Sequence, residues 1–159
     1  MSVSVFLGLG SNLQPAHHLK QGIEALRTVF GELIISPFYE CEAVGFAGPN
    51  FLNGAVGFAT NLSLEEVIQQ CRSIEEKYGR DPQAKKWSSR TLDIDVLIYG
   101  DAIGEFSGVQ LPRPDILNYA FVLWPLADIA ADSIHPIVKK SYGMLREEFQ
   151  SPHRIQVVV

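Results

Sequence analysis

With 159 residues, 47% of them hydrophobic and 19% charged, the chain has the length and composition of a single globular domain, residues 1–159. Its formal charge of -5 lacks the basic excess that nucleic acid or an acidic membrane surface demands, so the expected partner is a small molecule. No run reaches the ~20 apolar residues that span a bilayer, and the apolar start, Met1 to Asn12, has neither a basic lead nor a cleavage site. A soluble, cytoplasmic protein, monomer or weak dimer, is expected. Cys41 and Cys71 lie far apart, without metal-ligand spacing or a disulfide framework, and read as two partly buried thiols.

Val3, Val5, Leu7 and Leu9 alternate along a first strand, Ser2 to Leu9, of the kind packed on both faces, ended by Gly8, Gly10, Ser11 and Asn12. Leu19, Ile23, Leu26 and Phe30 follow at helical spacing, predicting an amphipathic helix from about Pro15 to Phe30 that Gly31 stops. Glu32 to Val44 reads as one long strand, Gly45 to Asn50 as a loop, and Phe51 to Thr60 as a third strand pairing antiparallel with the second. Ser63 and Glu66 form a capping box for a helix whose apolar face is Leu64, Val67, Ile68, Cys71 and Ile74, ending at Gly79.

Arg80 to Arg90 is too polar for core and rich in basic groups; Lys85 and Lys86 read there either as phosphate-facing cations or as a solvated basic run. The strand Asp93 to Tyr99 follows, then a turn at Asp101 to Gly104, a short strand near Gly108 to Leu111, helices over Phe121 to Ala131 and Tyr142 to Phe149, and a last strand, Ile155 to Val159. Strand, helix, strand, strand, helix, strand is the split βαβ order of a ferredoxin-like α+β fold, with C-terminal additions.

The segment Arg90-Thr91-Leu92-Asp93-Ile94-Asp95 carries the chemistry. In a strand alternate side chains share a face, so Asp93 and Asp95 project together, their Cα atoms roughly 6.5 Å apart, while Leu92, Ile94 and Val96 face the core. Two adjacent carboxylates repel unless a cation joins them, and hard oxygen donors suit Mg²⁺ bearing substrate phosphates. The plainer alternative is a strand end with two solvated acids, one paired to Arg90.

Gly8-Leu9-Gly10-Ser11-Asn12-Leu13, Phe51-Leu52-Asn53, Trp87, the Arg90 to Asp95 block and Phe121-Val122-Leu123-Trp124-Pro125-Leu126 stand in order along nearly the whole chain. Together they resemble the 6-hydroxymethyl-7,8-dihydropterin pyrophosphokinase family of the folate pathway, and Arg-x-x-Asp-x-Asp is the most specific of these signatures. The resemblance implies transfer of the β,γ-pyrophosphoryl group of ATP to the hydroxymethyl oxygen of a dihydropterin, with release of AMP. It implies two Mg²⁺ ions on Asp93 and Asp95, and a pterin sandwiched between Phe51 and Phe121. Asn53 and backbone groups of Cys41 to Val44 would meet the amide edge of that pterin. By the same resemblance Glu75 supports the site, Trp87 sits on a closing loop, Arg80 and Arg90 contact phosphate, and Val96 lies on the ATP side, where Arg113 is a new phosphate donor and Lys85 and Lys86 are expected to compensate for lost ones. For the two Phe residues the alternative is core packing, and for Trp87 an edge aromatic over the sheet.

The chain departs from the family pattern on the nucleotide side: Pro82 and Tyr119 stand where Arg is usual, Arg113 where His is usual, Ser88 for Gly or Ala, and Gly108 lacks a basic side chain found in some members. A paralogue acting on another reduced pterin, or binding pterin without transfer, is therefore the alternative reading. A nucleotidyltransferase, suggested by Gly10-Ser11 with Asp93-x-Asp95, is disfavoured because a helix, two strands and another helix intervene. The four histidines, His17, His18, His135 and His153, have no zinc-ligand spacing.

Overall fold

A computed structural model describes residues 2–43, 48–78, 91–149 and, along the backbone, 155–158. The central strand β1 (Val3–Ser11) runs between β4 (Phe51–Thr60) and β5 (Asp93–Tyr99), antiparallel to both. Beyond β4 lie β3 (Phe38–Cys41) and β8 (Ile155–Val158), so the sheet order is β5-β1-β4-β3-β8, and β2 (Ile34–Ile35) also pairs with β4. With α1 (Pro15–Phe30) and α2 (Leu64–Lys77) as crossovers, this is the expected βαββαβ order of an antiparallel α+β domain.

Each sheet face has its own core. Val5, Leu7 and Leu9 of β1 join Ile94 and Val96 of β5 against the apolar stripes of α1 and α2. Leu26 and Val67 are fully buried there, each such side chain contributing about 1.5–3 kcal/mol by leaving water. The opposite face is covered by α4 (Ala120–Ala130) and α5 (Tyr142–Glu148), with the short α3 (Asp115–Asn118) beside them, through Leu97, Ile98, Leu123 and Leu126. α2 starts where the sequence predicts: the Ser63 side chain accepts from Glu66 N–H at 3.2 Å and the Glu66 carboxylate from Ser63 N–H at 3.1 Å.

Three expectations need correction. The segment Glu32 to Val44 is not one strand: Pro37 has no N–H for a ladder, and the chain breaks at Ser36 into β2 and β3. Ser36 bridges the break, since its N–H donates to Ala55 C=O and its Oγ accepts from Ala55 N–H, at 2.9 and 2.8 Å. The glycines after Leu7 do not end β1, which stays paired through Ser11 because strands flank it on both sides. The short strand near Leu111 is half of a hairpin, β6 (Gly104–Phe106) with β7 (Val109–Leu111), joined by Ser107 and Gly108 at positive φ of 51° and 82°.

Candidate active site

Asp93 pairs with Gly10 of β1, and Gly10 pairs on its other edge with Asn53 of β4, which in turn pairs with Tyr39 of β3. Residues in register on adjacent strands point to the same face, as do residues i and i+2 along one strand. Asp93, Asp95, Asn53 and Phe51 therefore share the face on which α4 packs, while Leu92, Ile94 and Val96 are buried on the other. The Val96 side chain is thus core, and only its backbone is left to meet a ligand.

Gly10 is the spacer of this row. A Cβ there would lie 2.8 Å from Asn53 Oδ1, so only a residue without a side chain leaves the carboxamide where it stands. The other end of that carboxamide is held as well: Asn53 Nδ2 donates to Cys41 Sγ at 2.7 Å. Burial pushes the Cys41 thiol up to about 12, so it serves as a neutral acceptor at physiological pH. Cys41 and Cys71 are both free and buried.

Glu75 of α2 is 3% exposed and accepts from Ile94 N–H at 2.8 Å, which fixes the backbone midway between the two aspartates. Arg113 follows β7 and approaches from outside the sheet: its Nη2 lies 3.5 Å from Asp95 Oδ1 and its Nε 3.4 Å from Asp115 Oδ2. Burial, then the neighbouring Asp93, push the Asp95 carboxyl well above the ordinary carboxylate range, with Arg113 opposing them and Glu75 and Asp115 adding to the rise. Among the described residues, Arg113 lies within ion-pair distance of both Asp95 and Asp115. Two half-buried carboxylates on one strand face, both hard oxygen donors, fit a Mg²⁺ centre.

Phe51 begins β4, half-buried, opposite Cys41. Phe121 is half-buried in the first turn of α4, the helix that covers the same face, and stacks on Tyr119 with ring centroids 5.0 Å apart. At Gly108, in the β6–β7 turn, a Cβ would come 4.0 Å from Arg72 Nη2. Arg80, Lys85, Lys86, Trp87, Arg90 and Val44, with Pro82 and Ser88, lie outside the described residues. Sequence reasoning missed the spacer role of Gly10, the Cys41–Asn53 contact and Asp115 as second acceptor for Arg113. Only the first had a legible signal, since Gly8 and Gly10 are spaced by two, as are the aspartates they pair with.

A family model for 7,8-dihydro-6-hydroxymethylpterin-pyrophosphokinase matches residues 6–131. The chain belongs to this family. Among its relatives, the 2-amino-4-hydroxy-6-hydroxymethyldihydropteridine pyrophosphokinase of Synechocystis sp. is 37% identical over 145 residues, covering 89% of this chain and 74% of the relative. The pyrophosphokinase of the same name from Aquifex aeolicus is 34% identical over 147 residues, covering 91% of each. In structure the chain is similar to an HPPK-DHPS crystallised with substrates, with a TM-score of 0.70 at 11% identity over 93% of this chain and 43% of that one. Plasmodium falciparum HPPK-DHPS gives 0.68 at 12% identity, over 93% and 45%. The chain spans less than half the length of those two structures, and at such identities they speak for the fold. Membership of the pyrophosphokinase family makes the chain an enzyme of the phosphotransferase class.

Proposed function

We propose that the chain transfers pyrophosphate from ATP to the hydroxymethyl group of 6-hydroxymethyl-7,8-dihydropterin, releasing AMP, in folate biosynthesis. The observation that carries this reading is the register row Asp93–Gly10–Asn53, which sets the Asp93 carboxylate and the Asn53 carboxamide on one sheet face, two strand spacings or roughly 9.5 Å apart. That span suits a small flat substrate whose reacting arm reaches toward the acids.

In this reading Asn53 reads the amide edge of the pterin, and Phe51 from the sheet and Phe121 from α4 take its two faces, excluding water around the ring. Asp93 and Asp95 would hold two Mg²⁺ ions, and bound there these would neutralise the triphosphate and lower the pKa of the attacking hydroxyl. The hydroxymethyl oxygen forms a bond to the β-phosphorus, the bond from that phosphorus to the oxygen bridging to the α-phosphate breaks, AMP leaves, and the hydroxyl proton passes to solvent. The chain supplies position and charge, and no protein nucleophile is needed. Arg80, Arg90, Arg113, Lys85 and Lys86 are the proposed phosphate contacts, and Trp87 the proposed cover of the pterin.

ATP and a dihydropterin are the proposed partners, with neither nucleic acid nor membrane involved. A monomer or weak dimer is part of the same reading, and two free buried thiols suit the cytoplasm. Among the described residues no helix is long and apolar enough to cross a membrane. The test is substitution of the acids: Asp93→Ala and Asp95→Ala should each abolish AMP formation while leaving circular dichroism and dihydropterin binding near wild type. Undiminished turnover in either variant would rule out the metal assignment.

A further inference from the structure

We infer that Arg113 is the resident counter-ion of Asp95 in the metal-free protein, and that it yields this carboxylate to an arriving divalent cation and takes up phosphate oxygens instead. The inference rests on the reading of Asp95 as a metal ligand.

The backbone of Arg113 is fixed while its head is not. Its N–H donates to Leu97 C=O at 2.9 Å, tethering it to β5 two residues beyond Asp95, and its C=O accepts from Ile116 N–H at 3.1 Å. The guanidinium divides itself between Asp95 at 3.5 Å and Asp115 at 3.4 Å, both longer than the ~2.7–2.9 Å of a tight charged hydrogen bond. The side chain is 28% exposed, so the head can turn toward solvent without leaving a buried charge behind. The clasp on Asp95 is thus Coulombic and loose.

A divalent ion in direct contact, at ~2.0–2.1 Å for Mg²⁺, brings twice the charge to a shorter distance and outcompetes a guanidinium at 3.5 Å. The two cations also repel one another, so Arg113 must move when the metal sits down. Asp115, held by Nε, acts as the pivot, and the freed Nη groups form a planar fork suited to the phosphates that accompany the metal. The same arginine therefore weakens metal binding without nucleotide and strengthens nucleotide binding with metal, which makes metal and nucleotide arrive together.

The two effects have opposite signs: an arginine that never left Asp95 would oppose Mn²⁺ through its charge, but its removal would not weaken nucleotide binding. Mn²⁺ binding to nucleotide-free protein, followed by the electron paramagnetic resonance of the free ion at mildly alkaline pH, reads the first. Arg113→Gln should bind Mn²⁺ roughly fivefold tighter than wild type, and Arg113→Lys, which keeps the charge, should stay within about twofold. A non-hydrolysable ATP analogue with Mg²⁺ should bind Arg113→Gln roughly tenfold more weakly. Unchanged or weakened Mn²⁺ affinity in Arg113→Gln would overturn the inference. Should that variant not fold, the Nε–H resonance of Arg113 in the wild-type protein gives an independent answer: it should shift on titration with Mg²⁺ alone, and a resonance that stays in place to saturation overturns the proposal. Asp95→Asn separates this from the reading beneath it, because wild-type Mn²⁺ affinity in that variant would remove the metal site itself.

Discussion

Asp93 and Asn53 stand in one register row with only Gly10 between them, so the residue that could carry the metal and the residue that could read the substrate are related by the sheet ladder itself. Their separation is set by backbone hydrogen bonds rather than by loops. Changes to that row should therefore affect ligand binding more than folding.

Gly10→Ala is the smallest such change. The new Cβ would fall 2.8 Å from Asn53 Oδ1, and since Asn53 Nδ2 is held by Cys41, the carboxamide has to turn out of place. Dihydropterin affinity should drop roughly tenfold, about 1.4 kcal/mol, with Mn²⁺ affinity unaltered. Calorimetric titration of both ligands checks this, and an unaltered pterin affinity would show that the orientation of Asn53 does not matter.

Asp95 should cost the metal-free fold stability. Burial and Asp93 raise its carboxyl pKa in the folded state, so the unfolded chain ionises first, at the ordinary ~3.9. The stability this group contributes is present in acid, below that unfolded value, and is lost as pH rises toward the raised folded value. Asp95→Asn without metal should melt roughly 2–4 °C above wild type at neutral pH, the two converging in acid, while catalysis disappears. A variant that melts lower than wild type at neutral pH would contradict the charge balance proposed for the site.

Glu75 offers a pair of substitutions with different outcomes. Glu75→Gln keeps an acceptor for Ile94 N–H, whereas Glu75→Leu leaves that buried donor unsatisfied at a cost of about 1–3 kcal/mol. Urea denaturation should find the Leu variant less stable than the Gln variant by that amount. Equal stabilities would mean that the Ile94 contact carries no weight.

Phe51→Ala separates the two readings of that ring. A pterin-stacking Phe51 gives a Kd for dihydropterin raised roughly tenfold or more with a modest change in melting temperature. A core Phe51 gives the reverse, a loss of about 3–5 kcal/mol in stability with affinity retained in the folded fraction.

The fold was legible wherever a local pattern met a matching partner. The capping box at Ser63 and Glu66, the stripe of α1 and the alternation around Asp93 and Asp95 all appear as their residues predict, because burial of one face and satisfaction of terminal N–H groups are local demands. The break at Ser36 and Pro37 was not legible, since the β-rich residues around it favour strand and only the side-chain bridge to Ala55 shows how the ladder survives. The Asp-x-Asp pair could be read from spacing, and Asn53 and Phe51 from the family resemblance. The Cys41 contact and the Arg113 clasp could not, because they depend on which strands become neighbours and on where the chain returns after β7.

The most direct test of the whole account is nucleotide product analysis after mixing the protein with ATP, Mg²⁺ and 6-hydroxymethyl-7,8-dihydropterin, omitting each in turn. AMP and the pterin diphosphate should appear in equal amounts, only in the complete mixture. ADP as the nucleotide product, or no product from folded and metal-supplied protein that binds the dihydropterin, would contradict it.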